Sequence, residues 1–145
     1  MFYLLDINVL IAASDLASEF QPRFLRWLQL RRSPALATCP ISENGFLRIY
    51  GHPDYPGGPG SPVRALIPLQ VLRQRPGYRF VPDDASLADA ASGLALARVT
   101  PKRLTDFYLL ALAVRHGGRF ATFDEGVSPD GVPGGAAALD LIRPA

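Results

Sequence analysis

The chain has 145 residues, 48% of them hydrophobic, which suits one domain that buries about two-thirds of its unfolded surface and excludes global disorder. Cys39 is the only cysteine, so an intrachain disulfide and a cysteine-rich metal site are both excluded, and no apolar run reaches the roughly 18 residues needed to cross a bilayer. Fifteen basic residues against thirteen acidic ones give a net charge of +2, and the apolar start meets Asp6 with no basic segment before it, so a secretory signal is not expected and the cytoplasm is.

The apolar run at residues 2–5 predicts a buried strand that ends at Asp6. Asn8 is then a cap for a short helix over residues 9–13. A second helix is expected over residues 18–32, with Pro22 in its first turn and Phe24, Trp27, Leu28 and Leu30 on its buried side. Residues 35–39 read as a second strand. Pro40 opens a third helix, running to Tyr50, with Glu43 in its first turn. Residues 51–62 are rich in Gly and Pro and form a loop. A helix over residues 63–75 is kinked by Pro68. A third strand is expected at residues 78–81, and an Ala-rich helix at residues 84–97, with Asp83, Asp84 and Asp89 as its capping acids. Residues 105–116 give the clearest helix, since Phe107, Leu110, Ala111 and Val114 repeat at i, i+3, i+4 and i+7, and Gly117-Gly118 closes it. Residues 119–123 form a strand ending at Asp124, residues 127–135 a loop, and residues 139–142 a last strand. Strands alternate with helices throughout, so the expected fold is α/β, a parallel sheet with helices on both faces, as one domain over residues 1–145.

Two acids, Asp6 and Asp124, follow strands directly, and ligands in parallel α/β sheets bind beyond the carboxyl ends of the strands. Two more, Glu43 and Asp106, fall in helix first turns. Each acid alone is explained as a cap or turn residue. Their joint arrival at one sheet edge is what points to a site. Four clustered carboxylates repel one another unless some protonate or a cation sits among them. Carboxylate and water ligands suit Mg²⁺ or Mn²⁺, and one or two such ions about 4 Å apart activate water for in-line attack at phosphorus without a nucleophilic Ser or Cys. Asn8 and Thr122, each two residues from a strand-end acid, are placed to orient the carboxylates. With the four acids set aside, nine acidic residues face fifteen basic ones, a surplus of six, which suits a polyanion held around an acidic pocket. Fourteen of the fifteen are Arg, the residue that grips phosphate bidentately.

The stretches Leu4-Leu5-Asp6-Ile7-Asn8-Val9-Leu10, Ile41-Ser42-Glu43-Asn44-Gly45-Phe46-Leu47-Arg48, Leu104-Thr105-Asp106-Phe107-Tyr108-Leu109-Leu110-Ala111 and Ala121-Thr122-Phe123-Asp124-Glu125-Gly126 follow one another in order. At these residues the sequence resembles the PIN-domain family, and within it the VapC ribonuclease toxins of bacterial toxin–antitoxin systems. The run Arg48-Ile49-Tyr50-Gly51-His52-Pro53 resembles a subgroup common in mycobacteria. The resemblance implies a three-layer α/β/α sandwich around a parallel sheet. It implies Mg²⁺- or Mn²⁺-dependent cleavage of RNA, with tRNA or rRNA as targets, by a homodimer held inactive by a VapB-like antitoxin. Asp6, Glu43, Asp106 and Asp124 match the family's acidic metal-binding residues, Asn8 its polar companion of the first Asp, and Thr122 its hydroxyl residue before the last acid. Glu125 stands where a basic residue is common, and Phe107 where a small one is.

Arg48, Lys102 and Arg103 border the expected cleft and are candidates for RNA phosphate. His116 reads as a helix cap, His52 as a loop residue and Trp27 as core. Two other readings compete. A phosphotransferase with Asp6 as nucleophile requires a second Asp two residues on, and Asn8 stands there. A non-catalytic RNA- or partner-binding module on the same fold has no use for four crowded acids.

Overall fold

The computed structural model describes residues 1–144. Five parallel strands form one sheet in the order β3-β2-β1-β4-β5, with β1 at Phe2–Leu5, β2 at Ala35–Thr38, β3 at Arg79–Phe80, β4 at Arg119–Thr122 and β5 at Leu139–Leu141. The helices among the described residues are α1 (Ile7–Ser14), α2 (Gln21–Leu30), α3 (Pro40–Tyr50), α4 (Pro62–Arg73), α5 (Leu104–Arg115) and the four-residue α6 (Gly135–Ala138). None is long and apolar enough to cross a membrane.

The period-two alternation of β1 builds the layers. Phe2 and Leu4 face one side, where α5 packs with Phe107, Leu110 and Ala111 over Ala37 and Phe120. Tyr3 and Leu5 face the other, where α1 to α4 pack with Val9, Phe24, Trp27, Phe46 and Leu69 over Leu36 and Ala121. This is the expected α/β/α sandwich. The strands read as continuous apolar runs because both faces are covered. Gly117 takes φ +75° and closes α5, as its place after the last periodic residue requires. Its neighbour Gly118 lies against the ring of Phe2, where an added Cβ would overlap the ring carbons. Gly118→Ala is therefore expected to cost about 1–3 kcal/mol of stability, read by denaturant unfolding.

Three expectations need correction. Residues 84–97 do not form a helix; one 3-10 turn at Ala90–Ser92 is the only regular structure there. Ala propensity was outweighed because the segment lies on the surface without a continuous apolar stripe to pack. Its acids disperse: Asp89 caps that turn, while Asp84 pairs with Arg115 and with the ring of His116. Leu30 is not buried but 65% exposed, since α2 ends there. The first helix begins earlier than Val9, at Ile7, and Asp6 rather than Asn8 caps it.

Candidate active site

β1 and β4 are hydrogen-bonded neighbours inside the sheet, and the chain turns off each at an aspartate. Asp6 follows the last residue of β1, and Asp124 lies two residues past Thr122. Asp106 comes from the first turn of α5. All three line one cavity of about 520 Å³, together with Asn8, Arg48, Asn44 and Asp83 among others.

Asp6 is buried, with 6% of its surface exposed. One oxygen, Oδ1, accepts the Ile7 N–H at 2.7 Å and so caps α1. The other, Oδ2, accepts the Thr122 hydroxyl at 2.7 Å. The Thr122 Oγ1 in turn accepts the Asp124 N–H at 3.0 Å, so a single hydroxyl ties the two strand ends together. Burial pushes the Asp6 carboxyl up to about 6, against those hydrogen bonds, and the neighbouring Asp106 and Asp124 push it the same way. Asp106 is also raised, by burial first and by Asp124 second. Asp124 is lowered, chiefly by the Gly126 N–H on its Oδ1 at 2.8 Å and then by Arg103. Three carboxylates with diverging proton affinities around one cavity mark a place built for charge.

The remaining sequence candidates fall differently. Glu43 is not brought to the cavity. Its Oε2 accepts from the Thr38 hydroxyl at 2.6 Å, from Arg73 Nη1 at 2.5 Å and from the Tyr78 hydroxyl at 3.4 Å. The helical period explains this. The cavity face of α3 carries residues 41, 44, 45, 48 and 49, and residue 43 is rotated about 100° from residue 44, toward the β3 edge. Arg103 is turned inward rather than left free for RNA. Its Nη1 pairs with Asp124 Oδ2 and reaches Asp106 Oδ2 at 3.6 Å. Gly126 makes this possible, since a Cβ there would overlap the guanidinium. Lys102 is exposed and near enough to help lower Asp124. Asn8 and Arg48 line the cavity as the sequence suggested.

Asp83 was missed. It lies on the cavity wall, where its Oδ2 accepts the Ile41 N–H at 3.1 Å at the start of α3. Its only sequence signal is an acid placed soon after a short strand, the same signal that marks Asp6 and Asp124. The histidines are elsewhere: His52 Nδ1 accepts the Asp54 N–H in an exposed turn, and His116 binds Asp84. Trp27 packs edge-on against Tyr3 in the core.

Among the described residues no three His, Cys, Asp or Glu side chains stand close enough together to ligate a single ion as they are. That does not exclude Mg²⁺. Mg²⁺ keeps several of its waters and is held through one or two carboxylates. Hard oxygen donors around an open cavity, with two acids raised by burial and crowding, suit such an ion in chemistry and in charge.

Comparison with known proteins identifies the family of the chain. The family profile described as PIN domain matches residues 3–128. Ribonuclease VapC44 of Mycobacterium tuberculosis is 37% identical over 131 residues, which cover 90% of this chain and 92% of that protein. Ribonuclease VapC39 of the same organism is 36% identical over 124 residues, 86% of this chain and 89% of that protein. Ribonuclease VapC38 is 36% identical over 124 residues, with 86% of each covered.

Proposed function

This chain belongs to the PIN-domain family and to its VapC group, and from that premise we propose that it is an endoribonuclease toxin whose catalytic site is the cavity between Asp6, Asp106 and Asp124. The observation that carries the reading is the delivery of three aspartates, from two central strands and a helix first turn, to the carboxyl edge of a parallel sheet. Asp6 and Asp106 are the residues to hold Mg²⁺ or Mn²⁺, with Asp124 closing the wall beside them. A bound divalent ion makes water a better nucleophile and offsets charge on the phosphate oxygens.

The chain's own side chains do the rest. Thr122 fixes Asp6 Oδ2 and, through the Asp124 N–H, the spacing of the two strand-end acids. Asp124, held low by Gly126 and Arg103, stays ionised at neutral pH and can orient the attacking water. Arg48 and Asn44, one turn apart on α3, face the cavity where an RNA phosphate would lie. Glu43, with Thr38, Tyr78 and Arg73, holds the α3 start against the β3 edge. A VapB-type antitoxin and a homodimer belong to the same proposal, carried by the VapC relationship.

The test is direct. The purified protein, incubated with total RNA, is expected to cut at few positions with Mg²⁺ or Mn²⁺ and to stop when EDTA is added. Undiminished cleavage in EDTA would remove the metal from the reaction. Binding of RNA without cleavage under either ion would replace this reading with the non-catalytic module.

A further inference from the structure

A second cavity, of about 700 Å³, runs along the edge of the sheet between α2, β5 and residues 142–144, and four arginines line it: Arg23, Arg26, Arg31 and Arg143. One acid is present, Asp140, and it is already engaged. Arg31 forks onto it at 3.0 and 2.9 Å, and the Trp27 Nε1–H donates to it at 3.0 Å. That leaves Arg23, Arg26 and Arg143 with no carboxylate partner among the described residues. Three like charges around one groove repel unless an anion from outside joins them.

Arg23 is the most engaged of the three. Its guanidinium lies over the rings of Phe20 and Phe123, at 5.3 and 5.0 Å from their centres, and its Nη2 donates to the Ile142 carbonyl. Its Nε is buried and has no partner among the described residues. This arginine also links the groove to the acids, because Phe123 directly precedes Asp124 and the Ile142 N–H bonds to the Thr122 carbonyl at 2.8 Å. Phe20, stacked on Phe123 at 5.2 Å, is 37% exposed and leaves part of an aromatic side chain at the surface beside Arg23. Basic side chains interleaved with an exposed aromatic ring are the equipment of single-strand binding.

We propose that the groove between α2 and β5 is an RNA subsite. A single strand leaving the aspartate cavity passes the Phe20–Phe123 stack and lays its phosphates along Arg23, Arg26 and Arg143. The inference rests on the ribonuclease reading and says where the strand beyond the cut is held. It predicts that the enzyme distinguishes long strands from short ones.

The experiment compares wild type, the double variant Arg26→Gln/Arg143→Gln, and Arg64→Gln, an exposed arginine of α4 outside both cavities. Binding of a fluorescent 12-nucleotide single-stranded RNA is followed by anisotropy in EDTA, across a salt series. Cleavage of the 12-mer and of a trinucleotide is measured with Mn²⁺. The double variant is expected to bind the 12-mer about tenfold more weakly, with a salt slope shallower by about 1.4, as two lost phosphate contacts give for a single strand. Its KM for the 12-mer rises, while the trinucleotide is cut as by wild type and Arg64→Gln changes neither. If Arg64→Gln weakens binding as much, the effect is diffuse charge and the subsite is wrong. If the double variant matches wild type on the 12-mer while both cleave RNA, the subsite alone falls. If wild type neither binds nor cuts RNA, the ribonuclease reading falls and the subsite with it.

Discussion

Replacing Asp6 with Asn is expected to lower RNA cleavage by about a hundredfold or more while leaving a folded protein that melts higher than wild type at pH 7.5 in EDTA. The activity loss follows from removing a charged ligand at the centre of the cavity. The gain in stability follows from burial. Folding raises the Asp6 carboxyl from its ordinary value of 3.8 to about 6, so the folded state holds a proton that the unfolded chain has released. Stability contributed at this residue is fully present below pH 3.8 and is lost as the pH climbs through 6, a difference on the order of 3 kcal/mol. Asn carries no charge to desolvate, and its carbonyl still accepts the Ile7 N–H. The advantage of Asp6→Asn should therefore be largest above pH 6 and vanish near pH 4, measured as melting temperature against pH without metal. A variant less stable than wild type at pH 7.5 would show that the hydrogen bond from Thr122 outweighs the burial of charge. Retained cleavage would remove Asp6 from the chemistry.

Arg103→Gln is expected to tighten Mn²⁺ binding about tenfold, read by isothermal titration at fixed pH and ionic strength. The guanidinium now offsets Asp124 and Asp106, so an incoming dication meets a partly neutralised wall and a like charge behind it. Removing the charge leaves both acids to the ion. Gly126→Ala tests the same contact without deleting the arginine, because the added methyl takes the space in which the guanidinium lies. It should also tighten binding, to a smaller extent, since the charge remains nearby. Equal or weaker Mn²⁺ affinity in Arg103→Gln would mean that Arg103 orders the acids for the ion instead of competing with it.

Much of this arrangement was readable from the residues. The apolar run at β1, the heptad-like repeat of α5 and the glycine pair after it placed the sheet and its main covering helix, because local pattern and burial agree there. Asp6 and Asp124 were legible for the same reason: each ends a buried strand. Glu43 was not, because a helix turns 100° per residue and membership of a first turn does not say which way a side chain faces. Asp83 was hidden by a false helix. The Ala-rich composition of residues 84–97 gave a propensity without a partner surface, and Asp83 read as a cap for an element that does not form. Arg103 reads from the sequence as a basic residue bordering the cleft, and its pairing with the acids is not legible there because the inward turn depends on Gly126, twenty-three positions away in sequence.

The two strand-end acids follow β1 and β4, each flanked by a strand on both sides, and α3 supplies much of the remaining wall, whereas Asp83 hangs on the stretch from Val81 to Arg103, whose regular structure is limited to 3-10 turns at Ala90–Ser92 and Pro101–Arg103. The cavity is thus assembled from parts that open at different rates. Amides of β1 and β4 should exchange with deuterium only on global unfolding, while those around Asp83 and before Arg103 should exchange by local opening, far sooner. The pocket is thus expected to be a fixed frame with one faster-opening edge, at Asp83. A ligand that bridges Asp6 to Asp83 would register as slowed exchange at that edge alone, a signal of occupancy that needs no catalysis to be seen.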